Sequence, residues 1–437
     1  MARVTAAVRP PLVRGRIPWV GAATGMLWSP TGWFTRMRAK HGDTFEAEAL
    51  GHRFFCVFGP VGVASLYAVA ERDASFGLAT YTMVSTKVPT ELFSEIRNPP
   101  HKLFGNQQAE GYLRNLDEAM AAEVEALGAN GSFDLFAECR RIGHRLGLAS
   151  WAGHEAASPP YIDPLIDALD RLDTSESFVH PLRTAVTLAT KKRREQRAMA
   201  EVERLIGQIL AARRADPDAR PGDFLDQIDE SFADIEDRAR RDQLVARDVI
   251  VLHLGSQSNL FAALAWTLAN LMARPSDLDA VRAGDDALLT RYAYESIRLA
   301  QRSITMRQVL RPIDFEADDG THRLEPGTLI TTMLSVTNPT AAPGLDRFDA
   351  THYDGRKLAS IVADALPTKE LVSTFGHGSH TCPAQRFSLS AIRTAVHALL
   401  DAYDLAPGFA DPRPLTRQIG GVARADRPTP VAYRRRP

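Results

Sequence analysis

The stretch "ARDVIVLHLGSQSNLFAALAWTLANLM", Ala246 to Met272, sets the frame for the rest of the chain. It carries apolar residues at helical spacing with no proline, which predicts one long helix that other elements must cover. "YLRNLDEAMAAEVEAL" (Tyr112 to Leu127) and "RAMAEVERLIGQILAARR" (Arg197 to Arg214) repeat the helical pattern. Strand-like segments flank this helical middle. "DTFEAEALGHRFFCVFGP" reads as two strands around a turn at Gly51, and "TMRQVLRPIDFEADDGTHRLEPGTLITT" alternates around a turn at Asp319-Gly320. The outline is mainly α with small β-sheets at both ends. No flexible linker divides it, so residues 1–437 read as a single domain.

The formal net charge of −1 gives no sign of an electrostatic partner such as nucleic acid. "KKRREQR" (Lys191 to Arg197) and the final "RRRP" read as solvated faces. Three widely spaced cysteines, Cys56, Cys139 and Cys382, make no disulfide framework and fit a reducing compartment. The N-terminal apolar stretches are broken by Pro, Arg and Gly, unlike a signal peptide. Nowhere do about 18 consecutive apolar residues occur. The expectation is a soluble, cytoplasmic chain with no membrane span.

"FGHGSHTCPAQRF", Phe375 to Phe387, concentrates His377, His380 and Cys382 in a glycine-punctuated turn. Gly376 and Gly378 allow the backbone to approach another group closely. Pro383 and the apolar positions Phe387, Ile392, Val396 and Leu400 predict a helix that starts just after Cys382, with Cys382 as its N-cap. The dipole of such a helix favours thiolate over thiol. Three roles are open to that cysteine. It is a buried structural residue, one of three zinc ligands with His377 and His380, or a single axial thiolate on haem iron. Zinc wants four ligands, and the paired C-x-x-C is missing.

"FGHGSHTCPA" resembles the haem-binding loop of the cytochrome P-450 superfamily, whose pattern is Phe, two residues, Gly, one residue, Arg or His, one residue, Cys, one residue, Gly. Phe375, Gly378, His380 and Cys382 match it, and Ala384 stands where the pattern usually has Gly. The resemblance implies a helical bundle sandwiching haem b. Cys382 would ligate the iron, His380 would meet a propionate, and Phe375 would line the sulfur. "YESIR", with Glu295 and Arg298, looks like the family's Glu-x-x-Arg pair, one helical turn apart. The same spacing recurs at Glu138 with Arg141 and Glu201 with Arg204, so position rather than spacing singles out Glu295. His352 falls where the family often places a third member, an Arg. Arg307, in "ITMRQVLRPIDFE", falls where a propionate is commonly bound. The usual Trp and Arg of an earlier propionate-binding helix are not visible, and His101 or Lys102 is the substitute expected there.

By the same resemblance, the long central helix crosses the distal face of the haem. Members that activate dioxygen usually carry an acid followed by Thr at that point. This chain has Ser258 and Asn259 instead. Neither ionises near neutral pH, so ordered proton delivery to bound O2 lacks its usual groups. The Ser-Gln-Ser-Asn run is similar to the branch containing sterol hydroxylases and prostacyclin synthase, which holds both O2-using hydroxylases and an isomerase of peroxides. The resemblance therefore implies a monooxygenase acting on a lipophilic small molecule, with a ferredoxin or flavodoxin donor docking near Arg386. Its alternative is an isomerase or transferase that cleaves an O–O or N–O bond without O2 or reductant.

Overall fold

The computed structural model describes residues 10–15, 20–49, 51–98, 109–173, 186–187, 189–216, 221–354 and 366–437. Its principal elements, in chain order, begin with α1 (Pro30–His41), β1 (Thr44–Ala49), β2 (His52–Val57), α2 (Pro60–Ala68) and α3 (Phe76–Val84). Next come α4 (Ala109–Leu127), β3 (Asn130–Asp134), α5 (Leu135–Trp151), α6 (Ile162–Leu172), α7 (Arg193–Ala215), α8 (Phe224–Ser231) and α9 (Arg238–Met272). The last third holds α10 (Pro275–Arg282), α11 (Asp286–Ala300), β4 (Ile304–Val309), β5 (Ile313–Ala317), β6 (Gly320–Leu324) and β7 (Leu329–Met333). It ends with α12 (Leu334–Thr340), α13 (Gln385–Ala402), β8 (Tyr403–Pro407) and β9 (Pro430–Arg435). The architecture is mainly helical with small sheets.

These elements gather into two compact units interleaved along the chain. One comprises Met1–Val84, Tyr294–Cys382 and Pro414–Ala423; the other comprises Ser85–Ala293, Pro383–Arg413 and Arg424–Pro437.

The first unit is built on a mixed sheet of six strands. Its order runs from the short strand Leu12–Val13 through β1, β2, β7 and β4 to the short strand Ala74–Ser75. Aromatic packing on one side seals it: Trp33 and Phe34 of α1 meet edge to face at 4.9 Å, and Phe45 stacks on Phe58 at 5.9 Å. The antiparallel register of β4 on β7 pairs Thr305 with Thr332 and Arg307 with Ile330. Because side chains alternate along a strand, Thr305 and Arg307 share a face, and this places a guanidinium 1% exposed inside the unit. The β5–β6 hairpin pairs Ala317 with Gly320, so its turn is Asp318-Asp319, one residue earlier than the sequence suggests. That shift has a physical reason. Asp318 accepts the Val61 and Gly62 N–H groups at 3.1 Å each, which satisfies open donors at the start of α2.

In the second unit, α9 begins eight residues ahead of the apolar run, because Asp237 caps it by accepting from the Ala239 and Arg240 N–H at 3.0 and 3.3 Å. By length and composition this helix could cross a bilayer, yet 72% of its apolar window is buried inside the protein. It packs against α5 and α7, so core packing accounts for its apolar character. A second N-cap, Asp134, starts α5 by accepting from the Phe136 and Ala137 N–H at 3.1 Å.

The cysteine turn corrects one expectation. The final helix, α13, starts at Gln385 with Ala384 as its N-cap, and Pro383 belongs to the preceding turn. Cys382 therefore stands two residues before the cap. The expected apolar stripe is in place: Phe387, Ile392, Val396 and Leu400 are all at most 1% exposed.

Candidate functional site

The loop Ser373 to Cys382 is held from below by one buried amide. Asn338 is 0% exposed; its Oδ1 accepts the Ser373 N–H at 2.8 Å and its Nδ2 donates to Ser373 O at 2.9 Å. Ser373 Oγ in turn accepts the Gly376 N–H at 3.1 Å. The loop closes where the Cys382 N–H donates to Phe375 O at 2.6 Å, around a short turn at Gly378–His380. Two glycines make this path possible for different reasons. Gly376 sits at φ +81°, and a Cβ there would lie 2.1 Å from His380 O. Gly378 sits at φ +57° with nothing within 4 Å of a Cβ, so only its backbone conformation favours glycine.

The loop's side chains diverge. His377 Nε2 donates to Val372 O at 2.9 Å, and its ring stands edge-on to Tyr67 at 5.1 Å; burial holds this imidazole below its ordinary pKa, so it is neutral. Phe375 packs edge-on to Tyr294 at 5.3 Å. His380 turns the other way, towards Arg307. The zinc ligand set of His377, His380 and Cys382 is therefore not assembled, and among the described residues no group of three His, Cys, Asp or Glu converges on one point. Cys382 is partly exposed, whereas Cys56 and Cys139 are buried and burial raises their pKa values well above the ordinary thiol range. Of the three sulfurs, only that of Cys382 is placed to act as a ligand.

Arg307 and His380, separated in sequence, are brought into contact: Arg307 Nη2 lies against His380 Nε2. Arg307 Nη1 also donates to Ala74 O at 2.9 Å and approaches Glu71 Oε2 at 3.3 Å. The Arg307 Nε–H is buried without an acceptor. Desolvation lowers the pKa of both groups, and for His380 the Arg307 charge adds to the effect. Glu71 is the nearby anion; burial would raise its pKa, but hydrogen bonds from Ser75 Oγ and the Phe76 and Gly77 N–H, with Arg307, bring it below the usual range.

A buried ion pair braces the same unit. Arg298 forks onto Glu295 with Nε–Oε2 2.7 Å and Nη2–Oε1 2.6 Å, both side chains 0% exposed. His352 Nδ1 donates to Glu295 Oε1 at 3.0 Å, and Tyr353 OH donates to Oε2 at 3.3 Å. Arg298 Nη1 donates to Leu345 O at 2.6 Å, while Arg298 O accepts from Asn338 Nδ2 at 3.0 Å. Asn338 thus ties the ion pair to Ser373 and the cysteine loop. By contrast, the Glu201–Arg204 pair of identical spacing is half exposed. Sequence spacing singled out neither Asn338, Ser373 nor Tyr353, since a lone buried polar residue has no pattern of its own.

Ser258 and Asn259 lie in the second unit, on α9, where Ser258 is half-buried and Asn259 exposed. Neighbouring Gln257 is buried with both amide atoms lacking a partner. No carboxylate occupies positions 254 to 262 of that helix. His101 and Lys102 lie outside the described residues.

These observations fit the haem that the sequence implies. A buried guanidinium that Glu71 serves on one side and His380 on another keeps one orphaned N–H, and a propionate can accept it. A partly exposed thiol on a tight, glycine-permitted turn is the donor that an axial thiolate site requires.

No protein-family model matches the chain. Among curated proteins, it is 22% identical to prostacyclin synthase of Bos taurus, over 98% of this chain and 94% of that protein. It is also 22% identical to 24-hydroxycholesterol 7-alpha-hydroxylase of Mus musculus, over 98% and 93%. A cytochrome P-450 monooxygenase of Aspergillus fumigatus is 25% identical over 53% of each chain.

Proposed function

The chain belongs to the cytochrome P-450 superfamily, with that family's fold, its oxidoreductase type and haem b on a cysteine thiolate, and from this premise we propose that it is a soluble, cytoplasmic monooxygenase of secondary metabolism oxidising a lipophilic small molecule. The observation that carries the reading is the buried Arg307, in contact with His380 of the Cys382 loop and with its Nε–H left without an acceptor. When bound, haem supplies an iron centre that activates oxygen with the electron push of the thiolate. The protein's part is to hold and orient it. Cys382 offers the thiolate, Arg307 and His380 receive propionate, Phe375 walls the sulfur, and Gly378 keeps the turn open. Asn338, with Glu295, Arg298 and His352, keeps the loop in register.

A lipophilic substrate is supported by α3, which leaves Leu78 and Tyr81 38% and 41% exposed. Arg386, exposed in the first turn of α13, suits an acidic ferredoxin or flavodoxin.

One observation favours a second reading. With Ser258 and Asn259 where an acid and an alcohol are usual, α9 offers hydrogen bonds without an ionisable relay, which suits direct cleavage of an O–O or N–O bond. The relatives include hydroxylases and a synthase, so either chemistry has a precedent. Product mass spectrometry under isotopically heavy O2, with surrogate redox partners present or omitted, separates them. Heavy oxygen incorporated only with the partners establishes the monooxygenase; conversion without O2 or reductant establishes the isomerase or transferase.

A further inference from the structure

Arg302 stands in the first unit, at the join between α11 and β4, and is only 8% exposed. Its guanidinium is used on one side. Nη1 donates to Leu299 O at 3.2 Å and to Gln301 O at 3.0 Å, where α11 ends and its last carbonyls lack helical partners. The opposite edge, formed by Nε and Nη2, is close to empty. The Nε–H is buried with no acceptor, and among the described residues Nη2 reaches only Pro414 O, at 3.4 Å. Capping the helix explains Nη1 and leaves the fork unexplained.

That edge is the one with which arginine grips a carboxylate. Buried arginines elsewhere in this chain fill it. Arg298 places Nε and Nη2 on Glu295 at 2.7 and 2.6 Å, and Arg213 places the same two nitrogens on Glu155 at 2.9 and 2.6 Å. Arg302 is comparably buried and has no such partner among the described residues. Burial alone brings its pKa down to about 10, with no neighbouring anion to oppose the effect. The group is still charged at neutral pH, and a buried charge without a counter-ion is costly.

The surrounding backbone is fixed and leaves room. The Arg302 N–H donates to Gly421 O at 2.8 Å, the Gly420 N–H to Arg302 O at 3.0 Å, and the Gly421 N–H to Ser303 Oγ at 3.1 Å. Gln418 Nε2 holds the same turn through Gly420 O and Val422 O at 3.1 and 3.0 Å. Gln301 Oε1 accepts from Ser303 Oγ at 2.9 Å, and its Nε2 donates at 3.4 Å to Thr374 O, next to Phe375 of the cysteine loop. Gly420 and Gly421 are both left-handed, at φ +88° and +61°, and a Cβ on Gly420 would meet nothing within 4 Å. Buried Ile419 and Val422 flank the pair.

We propose that Arg302 binds the carboxylate of the substrate through its Nε–Nη2 edge, which narrows the substrate from a lipophilic small molecule to a lipophilic carboxylic acid. Pro414 O gives up its long contact with Nη2, and two parallel N–H···O bonds take its place. The apolar flanks of the glycine turn lower the local polarity, which strengthens such a pair once it is formed. Arg302 makes and breaks no covalent bond. It is a specificity-determining residue: the carboxylate marks the end of the molecule that is held, and the reaction takes place elsewhere on it. The proposal deepens the haem reading and rests on it for the identification of the bound acid as a substrate.

The test is isothermal titration calorimetry of the haem-loaded protein with dodecanoate and hexadecanoate, each compared with its methyl ester, which keeps the chain and removes the charge. Wild type should bind the acids roughly ten- to a hundredfold more tightly than the esters. In R302L that preference should disappear through loss of acid binding. R302K, which keeps the charge but not the fork, should retain part of it. Wild type that binds acid and ester alike, or neither, overturns the proposal, and so does an R302L protein that keeps the preference. Should R302L fail to fold, the wild-type comparison and R302K still decide. R302L that folds but releases haem to apomyoglobin much faster than wild type also overturns it, because the missing anion is then a haem propionate. The thiolate band of the ferrous carbon monoxide complex, recorded on the same preparation, tests the haem reading separately. Its absence from wild type overturns that reading, whereas a loaded protein indifferent to the carboxylate overturns only the role of Arg302.

Discussion

The guanidinium of Arg307 is pressed against the imidazole of His380, and the Nε–H of the same buried arginine finds no acceptor. Glu71 serves Nη1 from one side, but the buried Nε–H stays unpaired, and an inserted carboxylate relieves it. R307L should therefore weaken haem retention. Hydrogen bonds to charged groups contribute about 1.5–3 kcal/mol, so the loss should be roughly ten- to a hundredfold in haem affinity. R307K keeps the charge but loses the fork and should fall between the two. Haem transfer to apomyoglobin measures it; an R307L protein that holds haem as firmly as wild type would refute the assignment.

The loop glycines should respond differently from what the sequence pattern suggests. Gly378 is the matched position, yet a Cβ there meets nothing, and G378A should cost about 1–2 kcal/mol from its left-handed backbone alone. At Gly376 the same backbone strain adds to a Cβ placed 2.1 Å from His380 O. G376A should displace the turn and convert the ferrous carbon monoxide spectrum to its inactive, blue-shifted form, while G378A keeps the thiolate band. Equal spectra would show that the loop relaxes around either methyl.

Glu295 and Arg298 form a pair with no solvent access, so removing one partner leaves the other charged and buried. R298L should destabilise the fold by about 3–5 kcal/mol. H352F removes one donor and should cost about 1–3 kcal/mol, because Tyr353 and the Asp349 N–H still serve the same carboxylate. Urea unfolding of both variants tests the order. A larger loss for H352F than for R298L would contradict it.

Much of this was legible before any coordinates. Helical spacing located α4, α7 and α9, and the apolar stripe after Cys382 located α13, because these patterns are local and repeat many times. The hairpin at Gly51 was equally visible, since β1 and β2 are joined by a single turn that needs φ +78°. What the sequence could not offer were contacts between segments far apart in the chain. Asn338, which links Arg298 to Ser373, is a buried amide whose partners are all more than thirty residues away. Glu71 reaches Arg307 across 236 positions. The start of α13 was misplaced by two residues because Pro383 is as compatible with a tight turn as with a first helical position. The buried hydrogen bonds from Trp151 to His253 and between His144 and Asp170 were invisible for the same reason as Asn338: no spacing rule joins α5, α6 and α9.

A last prediction concerns pH. Glu138 on α5 is raised from the usual carboxyl range to about 7, first by burial, which Arg141 opposes, and then by the neighbouring carboxyl of Glu123. In the unfolded chain the same group titrates near 4.5. Between these values the folded protein keeps a proton that the unfolded chain releases, so stability falls as pH rises from about 4.5 to about 7 and is flat on either side. The sign is opposite to that of Asp170, whose folded pKa of about 2 lies below its ordinary 3.8, and whose contribution is lost only as pH falls through that lower window. E138Q, which fixes the neutral form, should remove the slope between pH 4.5 and 7 and make the protein relatively more stable at the upper end. Chemical unfolding at a series of pH values across the window is the measurement. A slope unchanged in E138Q would place the titrating proton on another group.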